Sequence, residues 1–245
     1  MSLMVTGGTG RLGRQFRPLF SRGLFPTHEE LPIQSMLHVQ NYVEENQVKT
    51  IIHCAALTNI PYCEKHREEA YLINVIGTKN LVEVLSDYED TYFVFISTAC
   101  VFPGEDTPER FSESDLPYPK NYYALSKLLA ETEVNHAHQI DTLIIRTNFI
   151  ERGPWPYIKA FTDRYATYLY SDQVAQVIVK TVKQRKTGLI HICGDEKRSM
   201  YDFAKLLDPK VEPITLEEYR GPNLTKNMAL RSERIHPYKF RGDPQ

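Results

Sequence analysis

The chain has few cysteines, and they are scattered. Cys54, Cys63, Cys100 and Cys193 form neither a CxxC pair nor a zinc-ligand spacing. That argues against a disulfide framework and against a metal site, and the four read as reduced core thiols of a cytoplasmic protein. An excess of charge of either sign is also missing. Lys and Arg number 29 against 31 Asp and Glu, a net charge of -2, so no global field draws the protein onto nucleic acid or an anionic membrane. No apolar run reaches the roughly 18 residues of a membrane span, and no charged-then-apolar leader is visible. Repeats and low-complexity segments are absent as well.

What is present is ample core material: 245 residues, 42% of them hydrophobic, enough for one large domain or one domain with a small appendage. Short β-branched and aromatic runs alternate with longer amphipathic stretches. "LMVTG", "VKTIIHCAA", "TYFVFISTA", "TLIIRTNF" and "GLIHICG" read as strands. Helical periodicity covers 11–22, 70–88, 122–138 and the stretch "SDQVAQVIVKTVKQ", with a short helix over "SMYDFAKLL" capped by Ser199. Continuous apolar strands separated by helices predict an α/β fold with a doubly wound parallel sheet, Rossmann-like in its architecture. The rhythm breaks after Phe149. The expected division is a dinucleotide-binding domain over 1–147 plus about 166–193, and a small C-terminal lobe from about 148–165 plus 194–245.

"VTGGTGRLGRQF" sets Gly7, Gly10 and Gly13 three apart between a strand and an expected helix. Gly7 suits a tight turn, Gly10 close approach of backbone to a pyrophosphate, and Gly13 close packing of helix on strand. The expected helix N-terminus would face the phosphates. Thr9, Arg11 and Leu12 complete this cofactor-binding turn. The acidic residue expected about 20 residues further on, to hold ribose hydroxyls, has no clean candidate, since Glu29 and Glu30 lie in the loop-like "PTHEELP". Arg11, Arg14 and His28 are available to a 2'-phosphate. NAD(H) and NADP(H) both stay open, with the balance toward NADP(H).

"NYYALSK" poses a sharper question, because two tyrosines precede Lys127. Residues four apart share a helix face, whereas residues five apart diverge by about 140°. Tyr123 therefore stands over Lys127 and Tyr122 does not. An ammonium beside a phenol lowers its pKa, which suits proton transfer, so Tyr123 is the acid–base candidate. Ser97 and Thr98 end the strand "YFVFIST", at the end of a parallel sheet where ligands collect. His53 and His191 lie in apolar strands and read as core residues; Trp155 either lines a sugar or packs on its own proline-framed loop.

Taken in order, "GGTGRLG", "IIHCAA", "NVIGTKNL", "ISTACVF", "YALSK" and "GLIHICGDE" resemble the extended short-chain dehydrogenase/reductases over most of the chain. Within them the pattern is most similar to sugar-nucleotide reductases of the dTDP-4-dehydrorhamnose reductase type. The resemblance implies that Thr98 holds the substrate oxygen, Tyr123 donates a proton, and Lys127 holds the nicotinamide ribose and tunes Tyr123. Ala55, Ala56 and the glycine turn would line the dinucleotide, and Asn148 would touch the substrate, a nucleotide sugar. Pairing of two copies through the helices over 70–88 and 122–138 would match the usual dimer of such enzymes.

Two departures stand out: Ala99 and Cys100 follow Thr98 where that type reads Asp-Tyr, and the segment between Arg152 and Ser171 is short. Dehydration of the sugar needs carboxylates just after the threonine and is disfavoured. The implied reaction is NAD(P)-dependent reduction of a 4-keto-6-deoxy nucleotide sugar. The alternatives are a nucleotide-sugar 4-epimerase of the same family and a non-catalytic cofactor-binding module, as in the related regulatory subunit of methionine adenosyltransferase.

Overall fold

The computed structural model describes residues 2–105 and 109–240. Residues 106–108, inside the family-like stretch after Thr98, and residues 241–245 of the expected small lobe lie outside the described residues.

In chain order, β1 (Ser2–Thr6) leads through the glycine turn to a 3₁₀ segment at Gly13–Phe16, then α1 (Met36–Glu45) and β2 (Val48–His53). There follow α2 (Ile60–Lys65), α3 (Arg67–Tyr71), a π-helical turn at Leu72–Ile76, α4 (Gly77–Ser86) and β3 (Tyr92–Thr98). A 3₁₀ turn at Ala99–Val101 precedes α5 (Tyr122–Asn135), β4 (Asp141–Thr147) and β5 (Phe149–Ile150). Then come β6 (Lys159–Phe161), β7 (Tyr165–Ala166), β8 (Leu169–Tyr170), α6 (Ser171–Lys183) and β9 (Gly188–Ile192). The chain continues through β10 (Arg198–Ser199), α7 (Met200–Leu207), β11 (Glu212–Ile214) and β12 (Asn227–Met228).

Five parallel strands form the central sheet in the order β1-β2-β3-β4-β9. Burial explains why the strands read as unbroken apolar runs. Alternate residues such as Met4, Ile51, Phe93, Phe95 and Ile144 pack with Val39, Val43, Leu81, Leu85 and Val134 from α1, α4 and α5. Their neighbours Val5, Ile52, Val94, Ile96 and Ile145 pack against Leu12, Phe16, Val174 and Ile178 on the opposite face. Both faces are covered, as a doubly wound sheet requires.

Among the described residues, what lies beyond β1 is a bridge from Met4 to Leu24, closed by Val5 N–H to Leu24 O and Leu24 N–H to Leu3 O, each 2.8 Å. The chain thus leaves β1 on one side and returns through α1 to β2 on the other. The crossover reverses there, so the carboxyl ends of β1 and β2 form the switch point where such sheets bind ligands.

The helix expected over 11–22 is reduced to the 3₁₀ segment at Gly13–Phe16. Pro18 is the reason: it offers no N–H, and its ring clashes with the carbonyl of Arg14 in an α-helix. No extended helix N-terminus therefore faces the turn, and any phosphate contact there falls to individual backbone N–H groups. Sequence periodicity also missed α1, whose buried face is only Val39 and Val43, too narrow a stripe to register. Among the described residues no helix is long and apolar enough to cross a membrane.

The smaller strands pair as β10-β7-β12, β11-β6 and β5-β8. They wrap a second core of Cys100, Phe102, Phe111, Tyr168, Tyr170, Phe203, Met228 and Leu230. The segment 230–240 runs along the free edge of β9. Glu113 accepts from His191 N–H (2.8 Å) and Glu233 N–H (2.9 Å), while Arg234 Nη1 donates to Thr187 O and Leu189 O. Side chains thus satisfy groups that a further strand would otherwise pair.

Candidate active site

At the switch point the three glycines differ in what they require. Gly7 has φ +66°, and a Cβ there would meet Ala55 N at 2.7 Å; a Cβ at Gly13 would meet Gly7 O at 2.0 Å. The fold itself demands glycine at both. A Cβ at Gly10 would touch only Gly7 O, at 3.2 Å, and Thr9 and Gly10 are exposed. Packing leaves room for a small side chain at Gly10, so glycine there fits the approach of a ligand, as a dinucleotide pyrophosphate would need.

Leu12 is in the core, with a side chain packed beside Phe16, and can offer a ligand only backbone. Ala55 and Ala56 follow β2, half-buried, and Ala55 N–H points to Thr6 Oγ1 (3.4 Å).

The arginines beside the turn are already engaged. Arg11 Nε lies 3.2 Å from Glu151, and Arg14 pairs with the same carboxylate. Arg17, which the sequence did not single out, lies over the Phe25 ring (4.8 Å) next to Gly8. Glu30 accepts from Thr27 N–H at 2.7 Å, and that bond holds its carboxyl below the usual range. It caps a local turn.

Asn121 starts α5, its Oδ1 accepting from Ala124 N–H (2.9 Å). The register this sets separates the two tyrosines. Tyr122 turns away: its N–H donates to Glu64 (2.6 Å) and its ring lies under Arg67. Tyr123 packs against the core that contains Cys100, Tyr168 and Met228, and the Thr98 hydroxyl lies near its own. Thr98 Oγ1 also accepts from Cys100 N–H (3.1 Å). One turn on, Lys127 Nζ sits 3.9 Å from the Phe95 ring centroid. The structure therefore brings Thr98, Tyr123 and Lys127 to one place.

The electrostatics differ from the simple reading. Burial pushes the Tyr123 hydroxyl up, Cys100 adds to this, and the neighbouring Thr98 hydroxyl works against it. Burial instead pulls the Lys127 ammonium down to about 7, against the fields of Glu131 and Cys54. Desolvation outweighs the ammonium–phenol interaction that the sequence suggested.

Two further groups support these residues, and sequence reasoning missed both. Asn74, in the π-helical turn, donates to Ser126 Oγ (2.9 Å) and Leu57 O (3.0 Å) and accepts from Leu57 N–H (2.7 Å). Ser126 Oγ donates to Tyr123 O (2.8 Å). Asn74 O accepts from Thr78, which contacts His53 Nε2 (3.0 Å), and His53 Nδ1 contacts Thr6 (2.6 Å). A buried polar chain thus links β1 to α5 through His53, a core histidine as expected.

Glu131 lies a turn beyond Lys127 and binds Arg146 through both oxygens, with Nη2 at 2.6 Å; Ser97 donates to it too. A signal was available for Glu131, at i+4 from Lys127. None was available for Asn74, whose bond depends on the π-turn.

Asn148 is tied down rather than open: Nδ2 donates to Met228 O (2.8 Å), and Oδ1 is buried without a partner. Trp155 Nε1 donates to Lys159 O and its ring packs edge-on to Tyr157, and it also rests against both small-lobe core clusters. The four cysteines are unpaired.

A glycine turn at the switch point and Thr98, Tyr123 and Lys127 at the ends of β3 and α5 define the class as extended short-chain dehydrogenase/reductase. Comparison with known proteins narrows it: a family profile described as the RmlD substrate binding domain matches residues 1–152, and the chain belongs to that family. It is 29% identical to a dTDP-4-keto-6-deoxy-D-glucose reductase of Streptomyces niveus, over 90% of this chain and 85% of that one. It is likewise 29% identical to methionine adenosyltransferase 2 subunit beta of Bos taurus, over 95% and 81%. Among solved structures, a dTDP-4-dehydrorhamnose reductase from Clostridium acetobutylicum superposes with TM-score 0.87 at 27% identity, covering 94% of this chain and 90% of that one. One from Bacillus anthracis, in complex with NADP, gives TM-score 0.85 at 27% identity, covering 94% and 91%.

Proposed function

We propose that the protein is an NADP(H)-dependent reductase of a 4-keto-6-deoxy nucleotide sugar. What supports this reading is that Thr98 at the end of β3 and Tyr123 and Lys127 on α5 lie at the carboxyl end of the sheet, in a chain whose reductase relatives align along most of their length. The bound nicotinamide supplies hydride. Gly7, Thr9, Gly10, Gly13 and the backbone of Arg11 and Leu12 would hold the pyrophosphate, with Ala55 and Ala56 beside it. NADP(H) is the preferred cofactor: Glu30, the acidic residue near the position expected to hold ribose hydroxyls, is committed to a local turn, and a relative of the same fold binds NADP.

Thr98 orients the substrate carbonyl toward Tyr123, which donates the proton as the alkoxide forms. A phenol held neutral by burial is in the protonation state a proton donor needs. Lys127 holds the nicotinamide ribose and supplies positive charge near Tyr123. The lobe expected over 148–165 and 194–245 would be the substrate-holding unit. We further infer a homodimer through α3–α4 and α5, supported by the exposed Tyr71, Leu72, Leu125 and Leu129 on these elements.

The test is oxidation of NADPH on addition of a 4-keto-6-deoxy nucleotide sugar, with NADH run in parallel. Turnover that prefers NADPH supports the reading. Tight NADPH binding with no turnover of any keto-sugar favours the non-catalytic module instead, for which the methionine adenosyltransferase subunit is the precedent.

A further inference from the structure

His53 is fully buried, and its neighbours fix where its ring carries the proton. Thr78 Oγ1 donates to Asn74 O (2.7 Å), so toward His53 Nε2 (3.0 Å) that hydroxyl can only accept. The ring is therefore protonated at Nε2, and Nδ1 accepts from the Thr6 hydroxyl at 2.6 Å. Thr6 Oγ1 in turn accepts from Ala55 N–H (3.4 Å). All four bonds point the same way: Ala55 donates to Thr6, Thr6 to His53, His53 to Thr78, and Thr78 to Asn74 O. Burial, with the field of Lys127, holds the imidazole well below the usual histidine range, which keeps the ring in the one neutral form this chain accepts.

Both ends of the chain hold the same short segment after β2. Ala55 is tied to Thr6; two residues on, Leu57 N–H donates to Asn74 Oδ1 (2.7 Å) and Leu57 O accepts from Asn74 Nδ2 (3.0 Å). The glycine turn rests on that segment too, since a Cβ at Gly7 would meet Ala55 N at 2.7 Å and the Cys54 carbonyl carbon at 2.9 Å. His53 thus joins the groups that set the height of both walls of the switch point. Packing alone does not call for this residue: Phe93 and Phe95 lie 5.8 and 5.7 Å from the imidazole, surroundings that suit a phenylalanine as well.

We propose that His53 is a positioning residue for the dinucleotide, fixing the segment 55–57 against the glycine turn through Thr6 and against the π-helical turn through Thr78. The inference rests on the cofactor assignment above. His53 has no surface to offer a ligand and acts through its neighbours. A segment already held in place loses little freedom when the cofactor docks, and that saving appears as affinity.

NADPH affinity, read by fluorescence titration, tests this on parent, His53→Phe, His53→Asn and Thr6→Val, with urea denaturation run on each. His53→Phe keeps an aromatic ring and removes both hydrogen bonds; it should weaken NADPH binding by about tenfold or more. His53→Asn, whose amide oxygen can stand in for Nδ1 as acceptor from Thr6, should recover part of that loss. Adding Thr6→Val to His53→Phe should cost little more, because the two share one link. Altered stability with parent-like NADPH affinity marks a histidine that serves packing only and overturns the proposal, as does a His53→Asn as weak as His53→Phe.

If His53→Phe does not fold, Thr6→Val decides, since it keeps the ring and cuts only its link to Ala55: weakened NADPH binding supports the proposal and unchanged binding overturns it. Keto-sugar turnover by a parent whose variants bind NADPH equally well leaves the reductase standing and removes only His53's role. NADPH binding that weakens in the variants, in a parent that turns over no keto-sugar, does the reverse. A parent that binds neither NADPH nor NADH overturns both.

Discussion

Lys127 and Glu131 lie one turn apart on α5, each 3% exposed, yet no hydrogen bond joins them among the described residues. The Glu131 carboxylate is taken by Arg146 and Ser97, and it reaches Lys127 only through its field. α5 thus presents phenol, ammonium and carboxylate at successive turns, with the carboxylate anchored from β3 and β4.

Removing that anchor should be severe. Glu131→Gln leaves Arg146 buried with an uncompensated charge, and breaking such pairs costs about 3–5 kcal/mol. Urea denaturation should show a loss of that order. A loss below about 1 kcal/mol would mean that water already serves Arg146.

Lys127 carries the opposite prediction. Its folded pKa, about 7, lies below the ordinary 10.5, so between these values the unfolded chain binds more protons and stability rises with pH. At and below pH 7 the penalty for burying the ammonium is largely or fully present. Lys127→Met should therefore stabilise the cofactor-free protein near neutrality by about 1–4 kcal/mol, or roughly 2–4 °C in Tm per kcal/mol. It should also flatten the rise in Tm above pH 7. A variant less stable than the parent at pH 7 contradicts this.

Glu113 pins the segment 230–240 to the edge of β9. Burial raises its pKa, but hydrogen bonds from Ser232, Glu233 N–H and His191 N–H outweigh it and hold the carboxyl low. Such a group stabilises the fold above its unfolded value, ordinarily about 4.3, and the stabilisation is lost as pH falls through the folded value. Glu113→Gln should cost about 1.5–3 kcal/mol at pH 7, with the gap to the parent closing in acid. An equal gap at pH 7 and in acid would show that shape, not charge, holds the strap.

At the cradle, Gly10→Val should keep stability within about 1 kcal/mol and lower NADPH affinity by about tenfold or more. Gly13→Ala should disrupt folding, given a 2.0 Å contact with Gly7 O. Chemical denaturation and fluorescence titration read the two apart. Unchanged NADPH binding in Gly10→Val would place the cofactor elsewhere.

The elements that position the site were legible because one-dimensional patterns determine them. The runs around Ile51–Ile52, Phe93–Ile96 and Leu143–Ile145 are buried on both sides, and such burial erases alternation in the sequence. The contrast between Tyr122 and Tyr123 follows from helix periodicity alone. Illegible features depend on contacts distant in the chain: Asn74 with Ser126, Arg146 with Glu131, and Glu113 with the segment after Leu230. The shortened helix after Gly13 was readable in principle from Pro18, whose effect local apolar periodicity concealed.

The most direct test compares two hydroxyls that are adjacent in sequence and opposed in space. NADPH oxidation with a 4-keto-6-deoxy nucleotide sugar is measured for parent, Tyr123→Phe and Tyr122→Phe, with NADPH affinity measured on each. The predicted result is a fall of about 10²- to 10⁴-fold for Tyr123→Phe, little change for Tyr122→Phe, and similar cofactor affinity in all three; equal losses in the two variants, or a fully active Tyr123→Phe, would contradict the account.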